Sequence, residues 1–229
     1  VATSNQTICS GDLPSNVILS GFVGSIQWQV STTSAVAGFS NISGATSPTL
    51  TGAVMGALTA ETYYRAVVTN GTCSSVTSNA ITISARDAAT ATISGATTVC
   101  QFAASTSVTF TNPRDNAIVV TFNIDGGGSQ FVSVGANSTA TVSVSTSLAG
   151  AFQYNLVSAV YQTSPSCSAA ISGSTTVTIN PAAAITSVTS TSPVCIGVNH
   201  TYTANGLDLG GGTGAWSSLN ASVASVNSS

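Results

Sequence analysis

Ser25-Ile-Gln-Trp-Gln-Val30 alternates apolar and polar residues one by one, so Ile26, Trp28 and Val30 share one face and Gln27 and Gln29 the other. Only an extended chain, with its two-residue period, sorts side chains this way. Tyr63-Tyr-Arg-Ala-Val-Val-Thr69 repeats the pattern, and each stretch reads as a strand of a half-buried sheet. Further along, Asn79-Ala-Ile-Thr-Ile-Ser84 and Thr175-Thr-Val-Thr-Ile-Asn180 alternate too. Residues 117–125 and 130–134 flank a turn at Asp125-Gly-Gly-Gly128, and residues 140–144 and 152–161 add two more strands. The chain is rich in β-branched Thr, Val and Ile and poor in the residues that build helix surfaces. The fold class expected is all-β, as tandem immunoglobulin-like β-sandwich modules arranged end to end, with no place for helices.

Self-comparison divides the chain. Thr7-Ile-Cys9, Thr98-Val-Cys100 and Pro193-Val-Cys195 share one opening, and the period of their cysteines is close to the roughly 100 residues of an immunoglobulin-like sandwich. A late feature recurs as well: Leu58 and Tyr64 are spaced like Leu148 and Tyr154, and a cysteine follows each tyrosine, at Cys73 and Cys167. The expected modules are residues 1–86, 87–181 and an incomplete third, 182–229, with short linkers at 85–89 and 181–184. Trp28, Tyr64, Tyr154 and Trp216 are expected to anchor cores, because buried aromatic bodies dominate the packing of small sandwiches. Val1 opens the chain without a signal-peptide pattern and Ser229 ends it in mid-pattern, so a piece of a longer chain is expected.

The repeated spacing predicts intramodular disulfides, Cys9 to Cys73 and Cys100 to Cys167, leaving Cys195 unpaired within these residues. Such bonds persist outside the cytoplasm; the competing reading is buried free thiols.

Charge narrows the function. Three Lys+Arg and six Asp+Glu make 4% charged residues and a net charge of −3, against roughly 25% charged in an ordinary globular chain. Arg65, Arg86 and Arg114 are too few and too scattered to neutralise a run of phosphates, so nucleic acid is not an expected partner. No stretch approaches the roughly 20 consecutive apolar residues that span a bilayer, so direct membrane insertion is not expected.

Thr7-Ile-Cys-Ser-Gly11, Ile26-Gln-Trp-Gln29, Thr62-Tyr-Tyr-Arg-Ala-Val-Val68 and Cys73-Ser74 resemble the immunoglobulin-like repeats of very large Bacteroidota surface proteins. Phe122-Asn-Ile-Asp-Gly-Gly127 and Ala149-Gly-Ala-Phe-Gln-Tyr-Asn-Leu156 ahead of Cys167 resemble the polycystic-kidney-disease-like (PKD-like) repeats of the same proteins. Gly214-Ala-Trp-Ser217 and Ser222-Val-Ala-Ser-Val226 resemble a bacterial immunoglobulin-like group-two module. The resemblance implies export by type IX secretion and display on the outer-membrane exterior, as in SprB-like gliding adhesins. In antibody domains the second cysteine lies two residues after the corner tyrosine; here it lies much further on, so the bridge is not expected at the centre of the sandwich.

A catalytic site is not expected. The lone histidine, His200, reads as a solvent-facing strand residue beside Tyr202, and Asp12, Glu61, Asp87, Asp115, Asp125 and Asp208 are too dispersed to pair. The cysteines lack zinc-ligand spacing, and the acids do not cluster as calcium requires, so no metal or other cofactor is expected. Gly126-Gly-Gly128 and Gly210-Gly-Gly212 read as turns rather than phosphate loops. Two functions of different class follow. One is a structural or adhesive repeat region of an extracellular filament; the other is a polysaccharide-binding module or an accessory region of a secreted enzyme. The partners implied are neighbouring modules of the same chain and, at the surface, polysaccharide or other surface proteins.

Overall fold

In the computed structural model, which describes residues 4–190, 193, 195–210 and 213–219, the alternating stretches pair into sheets. The first group is β1 (Gln6–Cys9), β2 (Val17–Ile18), β3 (Ser25–Ser31), β4 (Ser40–Asn41), β5 (Thr49–Leu50), β6 (Thr62–Thr69), β7 (Val76–Thr77) and β8 (Ile81–Arg86). One sheet runs in the order β1-β8-β6-β3-β4, with β7 also on β6, and β2 pairs with β5 separately. Side chains from both sheets meet in one core, where Val17 and Leu50 pack with Ile26, Trp28, Tyr64 and Ile83. Trp28 is fully buried, and its indole Nε1 donates to Ser47 O at 2.8 Å, so the one polar atom of the ring is satisfied.

The second group repeats this plan: β9 (Thr92–Ser94), β10 (Thr97–Cys100), β11 (Thr106–Asn112), β12 (Ile118–Ile124), β13 (Gln130–Val134), β14 (Ser138–Val144), β15 (Gly150–Tyr161), β16 (Ser168–Ala170) and β17 (Ser174–Asn180). Its larger sheet is β10-β17-β15-β12-β13, with β16 also on β15, and the other is β14-β11-β9. The β12–β13 hairpin turns on Asp125 (φ 52°) and Gly126 (φ 73°), the two left-handed positions of a tight turn, with Gly127 N donating to Ile124 O at 2.9 Å. Phe110 and Phe122 lie 4.8 Å apart at the centre of the second core, with Tyr154 beyond Phe122 at 6.2 Å.

A bulge in β15 decides which of its residues face that core. Thr121 sits opposite Ser158 but Phe122 opposite Leu156, so Val157 has no partner on β12. The extra residue resets the two-residue alternation, and Tyr154 and Leu156 on one side of it, Ala159 and Tyr161 on the other, all point inward.

Both groups share a further feature: the strand that ends in their leading cysteine runs parallel to the last, β1 beside β8 and β10 beside β17, while the other pairs of the larger sheets are antiparallel. The last strand is also split in two, β7 and β8 both pairing with β6 and β16 and β17 both with β15. Strand order and pairing are those of the immunoglobulin-like sandwich.

Several expectations are corrected. The stretch 85–89 is not all linker, because Ala85 and Arg86 belong to β8, held by pairing with β1. A one-turn helix, α1 (Gly52–Met55), forms where only strands were expected, since Thr51 caps it by accepting from Val54 N. Beyond Asn180 the described residues hold one hairpin, β18 (Ser187–Ser190) with β19 (Tyr202–Asn205). Trp216 anchors no core: it is 51% exposed and in no strand, because no second sheet is packed over it among the described residues. The motif at residues 222–226 lies outside the described residues.

The cysteine pairing is the largest correction. Cys9 is bonded to Cys167, with Cα atoms 5.4 Å apart, and Cys73 and Cys100 are free and exposed, as is Cys195. Parallel pairing of β1 with the last strand carries Cys9 to the end of the first sandwich at which β8 finishes. Cys73 follows β6, which is antiparallel to β8, and so lies at the opposite end. The eight residues of β6 separate the two ends by about 26 Å, far beyond the roughly 7 Å that a disulfide spans. The same argument separates Cys100 from Cys167.

Candidate functional site

Cys9 closes β1 opposite Arg86, the last residue of β8. The chain turns immediately afterwards: Ser10 N donates to Arg86 O at 2.9 Å, Asp12 N to Cys9 O at 2.9 Å, and Gly11 takes φ 93°. That left-handed third position marks a type II turn and favours glycine. Cys167 ends the loop that follows β15, where it is buried at 3% exposure against the second core. Cys167 N donates to Pro165 O at 2.9 Å, and Cys167 O accepts from Ala89 N at 3.3 Å, so the loop also holds the start of the second sandwich.

Arg86 is the second fastener of the joint. Its Nη1 donates to Thr163 O, Thr163 Oγ1 and Pro165 O at 3.4, 3.3 and 3.2 Å, and its guanidinium lies 5.0 Å from the centre of the Tyr161 ring. One planar cation thus serves several carbonyl and hydroxyl oxygens together with an aromatic face, as guanidinium geometry allows. Arg114 adds an exposed ion pair with Asp87 at 3.3 Å, worth at most about 1 kcal/mol. The loop that carries Arg114 is itself fixed, because buried Asn112 donates to Asn116 O and Gly135 O and accepts from Arg114 N. Between the two sandwiches lies an open cleft of about 490 Å³ whose walls include Thr7, Arg86, Asp87, Arg114, Asp115 and Tyr161. Two arginines and two aspartates there cancel in formal charge, so the cleft offers no net field to an ion.

The acids and the histidine do local work. Glu61 accepts from Tyr63 Oη and from Ser84 Oγ, which pushes the Tyr63 hydroxyl pKa up because the bond favours its neutral form. Asp125 accepts from Gln153 N at 2.7 Å and Asp208 from Gly210 N at 2.9 Å, while His200 Nε2 accepts from Cys195 N at 3.2 Å. Burial pushes the Tyr64 hydroxyl up, and burial together with the nearby Asp125 charge pushes Tyr154 up. Among the described residues no three of His, Cys, Asp and Glu gather as a metal site, and no helix is long and apolar enough to cross a membrane.

The sequence-singled residues therefore fall into separate places. Trp28 and Tyr64 sit in the first core and Tyr154 in the second, Cys9 and Cys167 make the joint, and Cys73, Cys100 and Cys195 are exposed. Arg86 and Tyr161 were missed as joint residues. The signal available for Arg86 was its place at the end of the last strand of its repeat; nothing in the pattern marked Tyr161.

Residues 1–87, less than half of the chain, match a family described as a domain of unknown function (DUF8696). No curated protein matches. One similar solved structure is a Ca2+-stabilised adhesin with which an Antarctic bacterium binds ice, at 16% identity over 83% of this chain and 52% of that one, TM-score 0.37. This chain therefore spans about half the length of that protein. Others are a marsupial T cell receptor, 11% identical over 83% of this chain and 76% of that one, TM-score 0.48, and fibronectin(III)-like modules of Clostridium thermocellum CbhA, 12% identical over 79% and 95%, TM-score 0.32. None of these reaches a TM-score of 0.5, so the fold assignment rests on strand order and pairing.

Proposed function

We propose that this chain is a structural and adhesive segment of an extracellular surface protein, in which sandwiches follow one another end to end and act as stiff spacers without catalytic chemistry. The observation that carries the reading is the Cys9–Cys167 bond, which joins one sandwich covalently to the next. A single bond of that kind is a hinge; the Arg86 contacts to Thr163, Pro165 and Tyr161 add restraints that oppose rotation about it. A disulfide also fits an oxidising, extracytoplasmic compartment. Display on the outer-membrane exterior after type IX secretion, and service in gliding or attachment, are the finer form of the reading and rest on the resemblance of the repeats.

Small-angle scattering tests the spacer role. Twelve-residue β15 is about 40 Å long, so two sandwiches in line give about 80 Å. The oxidised chain should show a maximum dimension at or beyond that value with a narrow distance distribution that broadens on reduction. A compact envelope, or a distribution that reduction leaves unchanged, overturns the spacer role.

A second reading, polysaccharide binding, is favoured by one observation: Trp216 and Tyr202 are half exposed and offer faces on which sugar rings stack. Affinity electrophoresis in polysaccharide gels, with Trp216→Ala as the control, tests it. Retardation abolished by that substitution favours the binding module, and unretarded migration removes it.

A further inference from the structure

Three cysteines open the same kind of turn. Cys9, Cys100 and Cys195 each begin a turn in which the residue three later donates its N–H back to the cysteine carbonyl, Asp12 at 2.9 Å, Ala103 at 3.2 Å and Val198 at 3.4 Å. The residue at the third place of each turn is left-handed: Gly11 (φ 93°), Phe102 (φ 65°) and Gly197 (φ 79°). Cys9 and Cys100 also close a strand parallel to the last strand of their sandwich, opposite Arg86 and Asn180. Each therefore sits at the end from which the chain leaves that sandwich.

Cys73 and Cys167 occupy a second shared position. Both lie in the loop between the long strand, β6 or β15, and the split last strand, and both donate N–H to a nearby loop carbonyl, Asn70 O at 3.1 Å and Pro165 O at 2.9 Å. Strand direction puts that loop at the opposite end, where the chain enters. Cys167 shows this directly, because its carbonyl holds Ala89 at the start of the second sandwich.

We propose that Cys9–Cys167 is one rung of a staggered series, in which the exit cysteine of each sandwich is bonded to the entry-loop cysteine of the next sandwich in the same polypeptide. Cys100 and Cys73 are then half-rungs. Cys100 takes the entry-loop cysteine of the sandwich that follows it, Cys73 the exit cysteine of a sandwich before it, and Cys195 repeats the role of Cys100. The surroundings of Cys100 fit such a neighbour: Phe102 and Leu148 are exposed at 72% and 65%, and Phe102 N and Gln101 Nε2 bond to Thr146 O and Ser147 O beside them. Each rung forms as two thiols lose two protons and two electrons to an external disulfide oxidant, whose own S–S bond is reduced to two thiols.

The series goes beyond the single joint described above, and it is independent of what the chain binds. It explains why cysteines left without partners in this chain fall at both ends of the repeat, and it forbids any bond between two cysteines of the same class.

Peptide mapping of the full secreted chain tests it, with free thiols alkylated before digestion and no reduction. The expected result is Cys9 with Cys167, Cys73 with the exit cysteine of a sandwich before it, and Cys100 with the entry-loop cysteine of a sandwich after it. Recovery of Cys73 or Cys100 as an alkylated thiol overturns the series, as does Cys9–Cys73, Cys73–Cys100, Cys73–Cys195, Cys100–Cys167 or Cys100–Cys195. Co-expression of isotope-labelled and unlabelled chains separates the sources: rungs within one polypeptide give uniformly labelled pairs, and mixed pairs refute that placement. In a Cys9→Ala chain, Cys167 is expected as a free thiol with the Cys100 bond unchanged; a new Cys100–Cys167 bond would show that the two ends are not held apart.

Discussion

Replacing Cys9 with alanine removes the covalent joint while leaving Cys167 as a small apolar thiol against the second core, a role cysteine fills readily. The two cores share no residue, so each sandwich unfolds in its own transition. Consider whichever unfolds first. If it is the first sandwich, the freed chain between Cys9 and Ala89 remains pinned at both ends to a folded neighbour; if the second, the chain between Arg86 and Cys167 is pinned likewise. Either loop has about 80 residues, for which the chain-entropy relation gives about 4.5 kcal/mol at 25 °C. Once both sandwiches are unfolded, the loop spans the whole separation of 158 residues. The same relation then gives about 5 kcal/mol in total. The bond thus contributes about 4.5 kcal/mol to the less stable sandwich and only about 0.5 kcal/mol to the other. With a urea dependence of about 1–3 kcal/mol per molar, Cys9→Ala lowers the first midpoint by about 2 M and leaves the second nearly in place. Trp28 fluorescence reports the first sandwich once Trp216→Phe silences the exposed indole, and amide hydrogen exchange of β12 and β15 reports the second. Equal shifts in both transitions, or none, in a parent chain whose Cys9–Cys167 bond has been mapped, would refute the loop argument.

Two further outcomes are expected. Arg86→Ala removes the contacts to Thr163, Pro165 and Tyr161 and should destabilise by about 1 kcal/mol, a fall of roughly 4 °C in thermal midpoint that Arg86→Lys does not recover, because an ammonium lacks the planar fork. An unchanged midpoint for Arg86→Ala would reduce that residue to a bystander. Tyr64 and Tyr154 have folded pKa values raised by burial, so their neutral forms contribute stability that is present below the ordinary tyrosine value of about 10 and lost as pH rises through the folded value. Urea midpoints measured from neutral to strongly alkaline pH should therefore fall only at the alkaline end, and Tyr64→Phe should flatten that fall for the first sandwich; a fall that begins near neutrality contradicts this.

Strand identity was legible in the sequence because it depends on neighbours along the chain. Ile26, Trp28 and Val30 alternate with glutamines whatever they pack against, and Asp125-Gly126 bends the chain through its own dihedral preferences. The repeat was legible too, since equivalent residues recur in equivalent order. The bulge at Val157 was not, because skipping one residue depends on register against β12, and the sequence of β15 alone allows an unbroken alternation. The disulfide partner was decided in three dimensions for a similar reason. Cys9 and Cys73 belong to one repeat, and proximity along the chain favours their pairing. Whether the first strand runs with or against the last depends on backbone hydrogen bonds to β8, which every residue type but proline can make. That choice of direction carries Cys9 to the exit end, away from Cys73 and up to Cys167. Side-chain pattern fixes what each segment becomes, whereas the direction in which segments lie against each other fixes which cysteines meet.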